Sequence, residues 1–462
     1  MTTIGICHYK IGDTDGVSLE MEKWKVALER LGHRVYLCGG DLGKAEGFLI
    51  EELYHHREDV ERIARNTFCR LRDYKSEVEL EGAILALSEP IERALRAFVN
   101  EKGIELLVPN NIWSLGANLP AAVAFARVVR ELNISVVAHH HDFYWEAFRG
   151  VAPTSFRTAT RIAQEYLPPN DPRITHVVIN SFAQRELLER KGITATVIPN
   201  VFDFIGPSWK IDHYNQGFRE SIGVSENDIL VLQATRIVER KGIELAIDLV
   251  VELNKPSYLE RLRKAGLYDG RRFTKDDRIV LVLAGYSEDR REDYLNRLKQ
   301  KVERAGIEVR IISDSIRSQR GEIDGRRFFS LWDCYVFADI VTYPSLYEGW
   351  GNQFLEAIRA KLPIVLFEYP VYQADIKEKG FDIISLGDEV KARDDLGLVL
   401  VDEGAVRNAA QRATEILTDL STRKVMVEHN FSLGKEFYSL ENLGNHLEKL
   451  LTYPLGKRKP TT

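Results

Sequence analysis

Two glutamates separated by seven residues around a glycine-bearing turn are the first side chains in this sequence whose type and spacing suggest chemistry. They lie in Pro344-Ser345-Leu346-Tyr347-Glu348-Gly349-Trp350-Gly351-Asn352-Gln353-Phe354-Leu355-Glu356-Ala357. The apolar run Ile340–Tyr343 reads as a strand, Glu348 falls in the turn after it, and Glu356 lies in the helical pattern that follows. Gly349 and Gly351 permit close backbone approach, and the first amides of the helix, near Asn352, can meet an anion or sugar hydroxyls. A carboxylate pair suits vicinal diols, because each oxygen accepts a charge-assisted hydrogen bond. The plainer alternative is a capping glutamate followed by a solvated helix glutamate.

A second group is Gln233-Ala234-Thr235-Arg236-Ile237-Val238-Glu239-Arg240-Lys241-Gly242, between an apolar strand and a helix with Ile243, Ile247 and Val250 on one face. Arg236 and Lys241 sit ahead of a helix N-terminus, where cations are disfavoured unless they meet an anion, so their placement suggests a phosphate site. A solvated basic loop is the alternative. In the first half of the chain, the strand Ser135–Ala138 runs into His139-His140-His141-Asp142. Three consecutive histidines invite a metal reading, but adjacent side chains at a strand end diverge and no Cys or Glu pattern completes a site. The loop Gly12-Asp13-Thr14-Asp15-Gly16 follows the first strand, with Gly16 at a helix start. Its Asp13-x-Asp15 pair is the other candidate for a cation.

Taken together, these motifs resemble the family-four retaining glycosyltransferases, whose signature is this glutamate pair around a glycine-aromatic-glycine turn. The resemblance is strong over about residues 229–367 and weak in the first half. It implies that Glu348 meets hydroxyls of a donor hexose, that Glu356 meets the ribose, and that Gly349, Trp350, Gly351 and Asn352 line the donor site. Arg236 and Lys241 would hold the diphosphate and neutralise it as it leaves. His141 and Asp142 would contact the donor sugar, with His140 the alternative to His141, and Gly16 would lie near donor phosphates or acceptor. With the diphosphate assigned to two cations, no metal ligand and no cofactor is expected, and a divalent ion is not expected to be essential.

The elements that must position these residues alternate regularly. Thr3–Cys7, Arg34–Cys38, Ile104–Val108, Ile134–Ala138 and His176–Ile179 read as strands with helical patterns between them, the last leading into a helix capped by Ser181. A second series runs Ile229–Ala234, Ile279–Ala284, Val309–Ile312, Ile340–Tyr343 and Pro363–Phe367. This is α/β architecture of the GT-B kind, two Rossmann-like, doubly wound parallel-sheet domains facing a central cleft, with ligands beyond the carboxyl ends of the strands. The expected division is an acceptor-binding domain over 1–205, a nucleotide-sugar domain over 218–438 and a helix over 439–452 that returns to the first domain. The turn-rich stretch around 199–217 reads as the linker. Residues 42–94 and 315–328 match the family least.

Composition agrees with a soluble enzyme: 462 residues, 44% hydrophobic and 29% charged, enough for two cores. A net charge of −6 argues against nucleic acid as the main partner. Four cysteines with no C-x-x-C spacing suggest neither a zinc site nor a disulfide framework and place the chain in a reducing cytoplasm. No apolar run reaches the roughly 18 residues of a membrane span, although peripheral contact with a bilayer stays open.

The expected activity is therefore retaining transfer of a hexose from a nucleoside-diphosphate sugar to a hydroxyl acceptor. GDP-mannose and UDP-glucose are the donor candidates by resemblance, and the Gly-Trp-Gly-Asn variant tilts the choice toward mannose. The acceptor is left open between a small osmolyte precursor such as glycerate, a lipid carrier and a growing polysaccharide. A nucleotide-sugar epimerase or hydrolase of the same fold, or a non-catalytic sugar-nucleotide-binding protein, are the rival readings.

Overall fold

A computed structural model describes residues 1–12, 16–146, 157–285 and 292–452. Two compact units divide it, Met1–Val201 together with Leu440–Thr462, and Phe202–Ser439.

The first unit is built on a seven-stranded parallel sheet: β1 (Thr3–His8), β2 (Arg34–Gly39), β3 (Phe48–Leu49), β4 (Leu106–Pro109), β5 (Ser135–His140), β6 (Ile174–Val178) and β7 (Ala195–Val197), in the order β3-β2-β1-β4-β5-β6-β7. Side chains of a strand alternate between faces, so a parallel sheet covered on both sides must be apolar on both. Ile4 and Ile6 of β1 accordingly pack with Met21, Trp24 and Leu28 of the helix Gly16–Arg30, while Cys7 faces Ile84, Leu95 and Phe98 on the other side. Cys7 and Cys38, distant in sequence, are in-register neighbours on β1 and β2, both buried as free thiols.

Local signals end the helices where the backbone demands it. Asn118 caps Leu119–Leu132 by accepting from Ala121 N, and Asn133 closes it in the left-handed region with φ 49°. The helix Ser181–Lys191 is capped by Asn180, which accepts from Ala183 N, and not by Ser181, its first helical residue. Both residue types cap well, and the extended backbone of Asn180 decides. The unfamiliar stretch after residue 42 contributes two regular helices, Glu58–Phe68 and Glu77–Lys102, whose Ile63, Leu80, Ile84 and Ile91 enter the core.

The second unit carries a six-stranded parallel sheet. Its strands are β8 (Ile229–Gln233), β9 (Ile279–Leu283), β10 (Glu308–Ile311), β14 (Ile340–Tyr343), β15 (Ile364–Leu366) and β16 (Ile384–Ser385), ordered β10-β9-β8-β14-β15-β16. Between β10 and β14 the chain makes a small separate sheet from β11 (Ile316–Arg317), β12 (Gly321–Ile323) and β13 (Arg326–Ser330), and β17 (Ala392–Arg393) pairs with β18 (Val399–Leu400).

The stretch expected to link the domains is part of the second unit. The buried Arg359 guanidinium donates to the carbonyls of Asp203, Gly206 and Pro207, and Asn215 donates to buried Asp333. A buried guanidinium needs acceptors, and this segment supplies them, so the boundary lies between Val201 and Phe202. Among the described residues no helix is long and apolar enough to cross a membrane.

Leu440–Thr452 packs on the helix Gly16–Arg30 and places Leu443 and Leu447 in the first unit's core. Leu443→Ala should therefore cost about 2–5 kcal/mol. Urea denaturation followed by far-UV circular dichroism checks this, and an unchanged midpoint would show that the terminal helix adds nothing to that core.

Candidate functional site

In the second unit, β8 and β14 are adjacent and parallel, so the loops that leave their carboxyl ends are neighbours. The loop after β8 passes Arg236, makes a single 3-10 turn over Glu239–Lys241 and enters the helix Ile243–Leu253 through Gly242. Gly242 has φ 57°, and a Cβ there would meet the Pro344 carbonyl oxygen at 2.3 Å, so only glycine lets the two loops touch. A backbone bond from Leu346 N to Arg240 O (2.8 Å) ties them together.

This contact brings Glu348 onto two cations. Its Oε1 accepts from the Lys241 ammonium and its Oε2 from Arg240 Nη1 at 2.9 Å. Lys241 and Glu348 are only 4% and 7% exposed, and the Lys241 ammonium also stands over the Tyr343 ring at 5.7 Å. Burial alone would push the Glu348 carboxyl up, but Lys241 and Arg240 outweigh it and hold it down at about 2. Burial likewise lowers the Lys241 ammonium, and the charges of Arg240 and Arg236 act in the same direction. Arg236 is thus within electrostatic reach of the pair. Arg236, Arg240 and Lys241 against Glu348 make these four side chains net positive.

The turn after Glu348 is held from behind. Gly351 has φ 126°, a Cβ on it would meet Tyr369 Oη at 2.3 Å, and that hydroxyl donates to Trp350 O at 2.6 Å. Trp350 is buried edge-on against Tyr438. Asn352 opens the helix Asn352–Arg359 after Gly351, which offers no side-chain cap. Glu356, in the middle of that helix, is buried and accepts from the Tyr335 hydroxyl at 2.8 Å. Gly349, which follows Glu348, is half-buried.

The first unit places its candidates at the end of β5. His140 is turned inward: its Nε2 and His176 Nδ1 are 2.9 Å apart, their rings stack, and burial lowers both rings, His176 to about 4. His141 takes the other side, with its Nε2 3.4 Å from Asn110 Oδ1 and its amide donating to Asn111 Oδ1. Asp142 is half-buried after it, and Gly16 is exposed as the first residue of its helix. His139 stacks on Trp24 and packs at a tilt against His141. Asp13 and Asp15 lie outside the described residues. Among the described residues no group of three or more His, Cys, Asp or Glu side chains is placed to hold a metal ion.

Residues 215–431, which include the whole Arg236–Lys241 and Glu348–Glu356 constellation, match the family described as Glycosyl transferases group 1. The chain is 40% identical over 441 residues to the mannosylglucosylglycerate synthase of Petrotoga mobilis, covering 95% of this chain and 98% of that one. Against the enzyme of the same name from Thermotoga maritima it is 40% identical over 448 residues, covering 96% and 99%. This chain belongs to the group 1 glycosyltransferases. Its fold is GT-B: the sucrose-phosphate synthase of Thermosynechococcus elongatus superposes with a TM-score of 0.58 at 15% identity, covering 98% of each chain.

Two further residues belong to this candidate site. Arg240 lies in the basic motif, and its place beside Lys241 is its signal in the sequence. Tyr335 gave none, because its link to Glu356 depends on the packing of Leu331–Phe337 against the sheet.

Removing one member of a buried pair strands the other. Lys241→Met should cost about 3–5 kcal/mol, and adding Glu348→Gln to it should recover much of that loss. The Glu348 carboxyl is depressed below its ordinary 4.5, so the stability it contributes is complete above that pH and fades as pH falls toward about 2. Urea titrations of both variants at pH 7 and of the wild type at pH 5 and 3 test this, and equal losses for single and double variants would show that the pair is not coupled.

Proposed function

We propose that this glycosyltransferase moves a mannosyl residue from GDP-mannose to a hydroxyl of glucosylglycerate, with retention of configuration and without an essential metal. The observation that carries this reading is the buried Lys241–Glu348–Arg240 group at the carboxyl ends of adjacent strands β8 and β14. Support for the sugars comes from the two relatives named mannosylglucosylglycerate synthase, matched over nearly their whole length.

In this reading Arg236 and Lys241 bind the diphosphate. An ammonium has three donors, so Lys241 can keep Glu348 on one and offer the others to phosphate oxygens. Preorganised cations aimed at charge that grows on the leaving group lower the barrier most where water is excluded, and Lys241 is buried. The carboxylate of Glu348, already ionised and fixed by Arg240, accepts from hexose hydroxyls through its remaining lone pairs. Glu356 accepts from the ribose diol, with the Tyr335 hydroxyl holding its orientation. The amides from Gly349 to Asn352 add donors to the sugar or phosphate. The acceptor hydroxyl attacks the anomeric carbon on the leaving-group face as the bond to the diphosphate breaks, and its proton passes to a phosphate oxygen. Acceptor binding is assigned to the first unit, with His141, Asp142 and Gly16 as its candidate residues.

Four measurements test this. With GDP-mannose and glucosylglycerate, NMR should show a new α-linkage. A β-linkage, or free mannose released at a rate independent of acceptor, would reject it. Chelator should leave the rate nearly unchanged, and a loss restored by magnesium would reject metal independence and make Asp13 and Asp15 the candidate ligands. A hydrogen bond to a charged group is worth roughly 1.5–3 kcal/mol, so Glu348→Ala and Glu356→Ala should each lose about ten- to a hundredfold in kcat/KM. Only Glu356→Ala should also bind GDP poorly by calorimetry, because GDP has the ribose and lacks the hexose.

A further inference from the structure

In an open parallel sheet, ligands bind beyond the strand ends where the strand order reverses. In the first unit that reversal lies beside β1, since the chain runs β1-β2-β3 outward and then returns to place β4 on β1's other side. His8 ends β1, and its Nδ1 lies 2.8 Å from the carbonyl of Asn110, which follows β4, so the switch point is marked by an imidazole. Two residues further, Lys10 enters the same loop.

The segment after β3 comes to the same place. Tyr9, following β1, packs its ring at 5.2 Å from His8 and 5.4 Å from His55, and His55 stands 4.0 Å from His56. Tyr54 closes the other edge of both histidines. Burial and the charges of His56, His8 and Lys10 lower His55 to about 4, so these groups crowd one another electrostatically. Glu61 opposes them, bonded through Oε1 to His56 Nδ1 at 2.9 Å, and the neighbouring Arg57 is bonded to Asp59. The Nδ1 atom of His55 is buried without a hydrogen-bond partner among the described residues. His55 is neutral at neutral pH, so Lys10 supplies the positive charge and the imidazoles gathered at the switch point offer N–H donors, a combination that suits an anion.

We infer that His55 and Lys10, with His8 and His56 beside them, form the subsite that receives the carboxylate of the acceptor. The inference rests on the reading that the acceptor is a glycerate glycoside, and it names the residues that distinguish that acid from a neutral polyol. The carboxylate's negative charge favours the imidazolium, so His55 takes a proton from solvent as the acceptor binds and donates to it, while Lys10 supplies charge from the β1 loop. Tyr9 and Tyr54 wall the histidines and limit their orientations. The residues act on binding of the acceptor and take no part in breaking the donor's glycosidic bond.

The test compares two acceptors that differ only at this group, glucosylglycerate and glucosylglycerol, with GDP-mannose as donor. The wild type should prefer glucosylglycerate in kcat/KM by about ten- to a hundredfold, the range expected for a hydrogen-bonded charge. His55→Gln and Lys10→Met should each reduce that preference about tenfold, with GDP binding by calorimetry confirming a folded second unit and circular dichroism a folded first one. Equal use of both acceptors by the wild type overturns the carboxylate subsite while leaving the transferase reading intact. A preference kept by both folded variants also overturns it, since the carboxylate is then read elsewhere. Transfer to neither acceptor overturns the proposed acceptor and this inference with it.

Discussion

A carboxylate and an ammonium that are both removed from water can coexist only if each neutralises the other, and much of the second unit is arranged around that condition for Glu348 and Lys241. Taking either ion out of solvent costs several kcal/mol, which mutual attraction offsets only at contact distance and with further hydrogen bonds in place. Arg240 supplies one such bond to Glu348, and the Tyr343 ring lies beneath the ammonium. The requirement fixes the spacing of two loops that are more than a hundred residues apart in sequence. Gly242 is where that spacing meets the backbone, because any side chain there would drive the Pro344 carbonyl away and part the ions.

The same economy of space governs the neighbouring turn. Gly285, at the end of β9, has no room for a Cβ because the Thr235 carbonyl oxygen lies 1.8 Å from where it would stand, so the loop before Arg236 is seated against the next strand's exit. Gly351 yields its side-chain position to the Tyr369 hydroxyl, which then fixes Trp350 through its carbonyl. Close packing of backbone on backbone makes a rim with few internal degrees of freedom. Charged side chains mounted on such a rim are held by geometry and do not have to be ordered by the ligand.

Much of this was legible in the sequence, because alternation of apolar runs with helical periodicity is a local signal. Each expected strand of the two sheets is present, and the parallel GT-B arrangement follows from it. What could not be read were relations set by topology. Nothing in the linear order states that β8 lies beside β14, so the direct bond between Lys241 and Glu348 was hidden even though both residues were singled out. Cys7 and Cys38 looked unrelated because their adjacency exists only across a parallel pair. The turn-rich run after Pro199 had the composition of a linker, but irregular backbone that satisfies a buried Arg359 has the same composition as backbone that satisfies water. His140 and His141 were indistinguishable until strand alternation sent one toward His176 and the other toward Asn110.

The chain leaves the first unit at Val201, completes the second, and comes back at Leu440. The two ends of the second unit lie side by side, with Phe202 N donating to Tyr438 O at 2.7 Å and Phe202 bridged to Ser439. Because Leu440–Thr452 follows Phe202–Ser439 along the chain, every described strand of the second unit is made before the helix that covers the first unit's Gly16–Arg30. Until Leu443 and Leu447 emerge, the helix Gly16–Arg30 keeps an apolar stripe uncovered. The body begun first is closed last: a chain that stops short of Leu440 holds every described strand of the second unit and leaves the stripe on Gly16–Arg30 bare.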